Sequence, residues 1–148
     1  MEFTLRPAGA ADYQWLWELK RLTMRAYVEA TWGSWDEPAQ EAFFRRNFSP
    51  ATIQVVVVGG RSAGLLEVTR EPKALFLANV QIDPDFQNRG LGTAVVRTVL
   101  ATGDSLGLPV RLQVLRVNGG ARRLYERLGF AVYEETSTHA LMRWQPTD

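Results

Sequence analysis

Apolar and polar positions alternate at the start of the chain, with Phe3 and Leu5 between polar neighbours, so residues 2–7 read as a short strand stopped by Pro7. From Ala10 to about Ala30 the spacing changes to three and four: Tyr13, Leu16, Trp17, Met24, Tyr27 and Val28 fall on a helical pattern. Asp36-Glu37-Pro38 predicts a second helix start, because Asp caps free N–H groups, an early acid suits the positive helix end and Pro fits the first turn. That helix runs through Phe43 and Phe44 to about Phe48. Ile53–Val58 is a β-branched run closed by Gly59-Gly60 and followed at once by more apolar residues, which predicts a hairpin. A third strand covers roughly Ser62–Arg70 and a fourth Ala74–Ile82, with Glu71-Pro72-Lys73 as the turn. Leu91, Val95 and Val99, with Val96 and Leu100 beside them, predict a helix ending before Gly103 and Gly107, and Val110–Val114 a buried strand. Asn118 is a good N-cap for a helix that shows Ala121, Leu124, Tyr125 and Leu128 on one face and meets Gly129 at its end. Closing strands fall near Phe130–Thr136 and His139–Trp144. The order predicts an α/β (α+β) fold, one domain over residues 1–148, with a mixed central sheet of about seven strands and helices on both faces.

Composition narrows the chemistry. A chain of 148 residues, 46% hydrophobic and 22% charged, has the balance of one globular domain with a real core. No run of 18 apolar residues occurs, and the start MEFTLRPAGAADY lacks the basic and apolar parts of a secretory leader; the expectation is a cytoplasmic protein away from the membrane. Zero Cys excludes thiolate catalysis and Cys-based metal sites, and the single histidine, His139, cannot form a metal-binding cluster. A net charge of +1 is too small for a nucleic-acid binder. The charge is unevenly spread, however. Ala26–Phe44 holds four acids (Glu29, Asp36, Glu37, Glu41) and no Lys or Arg, whereas Asp85–Arg127 holds three acids and seven arginines. A cationic ligand suits the first stretch and an anionic one the second, although solvated helix faces also produce such runs.

Gln87-Asn88-Arg89-Gly90-Leu91-Gly92 lies between the strand ending at Ile82 and the helix starting near Leu91. A strand feeding a glycine-containing turn at a helix N-terminus exposes unpaired N–H groups that attract phosphate, and glycine lets a ligand approach the backbone. The segment is not a Walker loop, and a dinucleotide G-x-G-x-x-G is incomplete because its third position is Val95. A purely structural turn and a phosphate cradle both remain open on this segment alone.

The context favours the cradle, because the chain resembles the GNAT superfamily of N-acetyltransferases. Gln87-x-x-Gly90-x-Gly92, preceded by the strand Asn79–Pro84, is similar to that superfamily's pyrophosphate-binding signature. Asn118-Gly119-Gly120-Ala121-Arg122-Arg123-Leu124-Tyr125-Glu126-Arg127-Leu128-Gly129-Phe130 is similar to its second signature, N-x-x-A-x-x-x-Y-x-x-x-G-F. The resemblance implies acetyl-CoA as co-substrate; the lack of Cys and of a His cluster already sets the expectation of no metal. It implies that Val80, Gln81 and Ile82 offer main-chain hydrogen bonds to the pantetheine arm, and that Asn88, Arg89, Gly90, Leu91, Gly92 and Thr93 wrap the pyrophosphate. Asn118 would hold the cofactor from the neighbouring strand end, Tyr125 would act as general acid at the thioester sulfur, and Gln87 would brace the loop. Where some relatives place a basic Glu, this chain has Gln113, which leaves Glu67 or a water chain as the candidate base. Tyr27, Trp32 and Trp35, with the neighbouring acids, would either wall an acceptor site or seal the core where two helices turn. The expected partner is a small-molecule or peptide amine, attacked directly in a ternary complex; a homodimer is admitted. A protein N-terminal or lysine acetyltransferase and a non-catalytic CoA-binding regulatory domain are the alternatives.

Overall fold

A computed structural model describes residues 2–147. The seven strands are β1 (Thr4–Pro7), β2 (Ile53–Val58), β3 (Arg61–Arg70), β4 (Leu75–Ile82), β5 (Val110–Leu115), β6 (Ala131–Glu135) and β7 (His139–Trp144). They form one sheet in the order β1-β2-β3-β4-β5-β7-β6. Every neighbouring pair is antiparallel except β4 and β5, which run parallel because a helix connects them. The helices are α1 (Tyr13–Trp32), α2 (Glu37–Asn47), α3 (Leu91–Leu106) and α4 (Gly119–Arg127). The predicted mixed sheet of seven strands is therefore the observed one.

Strand alternation divides the core into two layers. Leu66, Leu75, Leu77, Val110, Leu112 and Met142 face Leu91, Val95, Val96 and Val99 of α3 in the larger cluster. Leu65, one residue from Leu66, points the other way and joins Ile53 with Leu16 and Leu19 of α1. The local signals act where the sequence puts them. Asp36 caps α2 by accepting from the Ala39 N–H at 3.1 Å, with Pro38 in the first turn.

The first strand starts at Thr4 and not at residue 2, a 3-10 turn over Ala10–Asp12 precedes α1, and, more tellingly, α3 runs through Gly103 to Leu106. Gly103 is a packing residue: a Cβ there would lie 2.8 Å from the Leu108 carbonyl oxygen and 3.0 Å from the Trp144 ring. The stop is Gly107, left-handed at φ 68°, where the Leu108 N–H bonds back to Gly103 and the Gly107 N–H to Asp104. Two glycines near a helix end thus serve two purposes, close approach and termination.

Candidate active site

The sheet opens between its two parallel strands. Register pairs join Leu75 to Val110, Phe76 to Arg111 and Leu77 to Leu112, yet β4 continues to Ile82 and β5 to Leu115. On the other side of β4, Leu77 pairs with Val68 and Asn79 with Glu67, so Ala78 is an extra residue in the ladder. Such a bulge bends its strand and swaps the faces beyond it. Val80 and Ile82 consequently pack toward the larger core, while Gln81, paired with Leu65, faces α1. Gln81 is 7% exposed, and its Oε1 is buried without a hydrogen-bond partner among the described residues. Gly64 lets β3 lie against this bent segment, because a Cβ there would sit 2.4 Å from the Gln81 carbonyl oxygen.

The glycine-containing turn follows directly. Gln87 braces it through a 2.8 Å bond from Nε2 to the Ile82 carbonyl. Asn88 (φ 63°) and Gly90 (φ 79°) both take left-handed conformations, and Gly90 leads into α3. Among the described residues, no main-chain N–H from Asn88 to Thr93 has an acceptor, the first helical bond being Ala94 N–H to Gly90. The first turn of α3 carries no acid to compensate its dipole. Arg89 and Arg61 both lie over the Phe86 ring, at 5.9 and 5.0 Å; Arg61 is paired with Asp85 at 3.6 Å, so the positive charge bordering the turn is that of Arg89. Free donors, the positive end of a 16-residue helix and the nearby Arg89 guanidinium fit a pyrophosphate.

On the same side of the sheet, Asn118 caps α4 by accepting from the Ala121 N–H at 3.2 Å. Tyr125 of α4 packs edge-on against Phe130, with ring centres 5.5 Å apart. Burial pushes its phenol up to about 12. Its hydroxyl makes no hydrogen bond among the described residues and is free to donate.

The opposite face of the sheet belongs to α1. That helix lies over Ile53 and Leu65 at Leu16 and Leu19, shares a cavity of about 500 Å³ with Asp83 at the end of β4, and meets His139 of β7 at Trp32. It therefore crosses over the opening between β4 and β5. The two tryptophans take different surroundings: Trp32 is 57% exposed with its ring 6.5 Å from that of His139, whereas Trp35 stacks on Trp17 at 6.1 Å. Tyr27, half-buried, falls between Ala26 and Glu29 in the stretch of α1 that lines the cavity. The acids of the first helix connection have partners. Glu29 pairs with Arg25, Glu37 with Arg21 and Glu41 with Arg45, while Asp36 is the α2 cap. The Trp35 indole N–H, then Arg21, hold the Glu37 carboxyl below its ordinary value. Glu67 accepts from Thr52 Oγ1 and from Asn79 Nδ2, each at 2.8 Å, tying three segments together on this face. Sequence spacing had no means of finding two groups here: the Gln81 side chain, whose direction depends on the bulge, and His139, whose neighbours come from sheet register. The only signal His139 carried was its uniqueness.

The model of the acetyltransferase (GNAT) family matches residues 13–130. The N-acetyltransferase PaiA from Thermoplasma acidophilum, solved in complex with coenzyme A, superposes with a TM-score of 0.79 over 98% of this chain and 99% of its own, at 17% identity. The ribosomal-protein-S18-alanine N-acetyltransferase from Escherichia coli gives 0.72 over 99% and 96%, at 20% identity. In sequence, the uncharacterized N-acetyltransferase CgeE of Bacillus subtilis (strain 168) is 32% identical over 75 residues, which span 51% of this chain and 29% of that relative.

Proposed function

Since the chain belongs to the GNAT family of acetyltransferases, we propose that it transfers an acetyl group from acetyl-CoA to a primary amine, by direct attack within a ternary complex. The observation that carries this reading is the run of unpaired N–H groups from Asn88 to Thr93 beside the opening of the sheet. Acetyl-CoA supplies the activated acyl group; the chain's residues do the rest. Asn88, Arg89, Gly90, Leu91, Gly92 and Thr93 hold the pyrophosphate, and the main-chain groups of Val80, Gln81 and Ile82, left without a β5 partner, bind the pantetheine amides. Asn118 orients the cofactor end of α4, and Tyr125 Oη holds its proton for the departing sulfur. Glu67, on the α1 face, accepts from Thr52 with one carboxylate oxygen and from Asn79 with the other, which suits it to brace the acceptor side and leaves the proton of the amine to another group.

The acceptor approaches from the α1 face, opposite α3 and α4. Tyr27, Trp32 and Trp35 belong to that side, and of the two indoles Trp32 is the exposed one. A protein N-terminus or lysine is a second reading, favoured by the acids Glu18, Glu29 and Asp83 that line the cavity along α1.

Calorimetry tests the first step. Acetyl-CoA and CoA should both bind, and ligand at 100 times its dissociation constant should raise stability by about 2.7 kcal/mol. Gly90→Asn and Gly90→Asp carry a similar backbone cost at positive φ and differ in charge, so Asp should weaken binding at least tenfold more than Asn. Absence of binding would remove the proposed function. Turnover is then measured with simple amines, amino acids and peptides bearing free α-amino groups.

A further inference from the structure

Building on the acetyl-transfer reading above, we infer that His139, the chain's single imidazole, is the proton acceptor for the incoming amine, held in place by Thr138 and walled by Trp32. Two observations lead there.

Sheet register comes first. Directly paired residues of antiparallel strands point to the same side, so Leu115 and His139 share a face, as do Gln113 and Leu141. It is the face opposite Leu112, Val114, Ala140 and Met142, which pack in the larger core below α3. His139 thus stands on the α1 side, at the end of β5 that lies beyond the last β4–β5 pair. A second observation is that the ring is oriented: Thr138 Oγ1 lies 2.8 Å from Nδ1. A hydroxyl that donates to Nδ1 leaves the proton on Nε2; one that accepts leaves Nε2 as the free base, the state a proton acceptor requires. Trp32 stands 6.5 Å away, its exposed ring forming an aromatic wall suited to an ammonium.

The neighbouring elements carry charged groups on this side of the sheet. Glu134 of β6 pairs with Leu141 and so faces the same side, and Arg143 follows on β7 itself. Arg116 leaves β5 to donate to the Thr136 carbonyl at 3.2 Å, and Glu29 of α1, one turn before Trp32, is bound to Arg25.

The proton balance is simple. The ammonium gives one proton to Nε2 of His139, directly or through one water, and the imidazolium passes it to solvent. The amine nitrogen then bonds to the acyl carbon as the carbon–sulfur bond breaks. The sulfur takes the Tyr125 proton, and the second proton shed by nitrogen restores the phenol.

One imidazole in the chain permits a readout independent of turnover, because proton NMR follows a single histidine ring through its titration. For the wild type, kcat/KM for the best amine of the panel should rise with pH through an inflection matching that NMR midpoint. His139→Gln should lose the inflection and fall about 10²-fold at neutral pH, with acetyl-CoA affinity by calorimetry unchanged. Glu67→Gln should keep it. A His139→Gln protein with the wild-type profile, a kinetic inflection displaced from the NMR midpoint, or loss of the inflection in Glu67→Gln each overturns the assignment while acetyl transfer stands. A wild type that binds acetyl-CoA and acetylates no amine removes the acetyl-transfer reading and this assignment with it.

Discussion

Burial changes what Tyr125 can do. A phenol at about 12 facing a thiol near ~8.5 makes full protonation of the thiolate uphill by about 5 kcal/mol. Its contribution is therefore a charge-assisted hydrogen bond to the sulfur as charge develops, completed when nitrogen releases its proton. Tyr125→Phe removes that donor and keeps the ring on Phe130. Turnover should fall by about 10², acetyl-CoA affinity should stay within a factor of a few, and thermal stability should hold. Raised by burial, the phenol also stays protonated through neutral and mildly alkaline pH, so its ionisation should give the rate no falling limb below about pH 10. Unchanged turnover in the variant would return Tyr125 to packing alone.

Among the elements, β4 has most influence on the site, and it was only partly legible. Its apolar run was evident from Leu75 to Ile82, as were the Asp36 cap, the Gly59-Gly60 hairpin and the turn before α3, because each rests on a local preference that neighbouring residues fix. The bulge at Ala78 has no such signature, since an inserted residue is defined by the partner strand. Simple alternation from Leu75 and Leu77 puts Asn79 and Gln81 on the α3 face; the bulge sends both to α1. The acidic stretch Ala26–Phe44 misleads because its counter-charges lie just outside it in sequence: Arg21, Arg25 and Arg45 pair with Glu37, Glu29 and Glu41. Gly64→Ala tests how closely β3 must approach the bent segment. A methyl 2.4 Å from a main-chain oxygen forces the strands apart, which should cost about 1–3 kcal/mol in denaturant unfolding and weaken acetyl-CoA binding at Val80–Ile82. An equally stable variant with wild-type affinity would show that β4 tolerates displacement.

At the scale of the molecule the sheet is two antiparallel halves, β1 to β4 and β5 to β7, joined by three residue pairs. Glu71, just after β3, reinforces the join by accepting from Arg111 of β5 at 2.7 and 2.6 Å, and Arg111 also lies over the Phe76 ring at 4.2 Å. The hydrogen bonds from Arg111 hold the Glu71 carboxyl below its ordinary value. With the folded value lowered, this stabilisation is fully present above the unfolded carboxyl's range and disappears as pH falls through the folded value. Glu71→Gln should therefore narrow the stability gap between neutral and acid unfolding curves, and an unchanged gap would mean that the pair contributes nothing. The same layout has a practical meaning. Each half is a continuous length of chain, and the connection between them runs through α3 and the short segment Gly107–Pro109. A polypeptide cut after Gly107 would leave Val80–Ile82 and the Asn88–Thr93 turn on one fragment, and Asn118 and Tyr125 on the other. Because the proposed ligand touches both fragments across their seam, acetyl-CoA would act as the glue of a two-piece reporter, its concentration read out as reassembly.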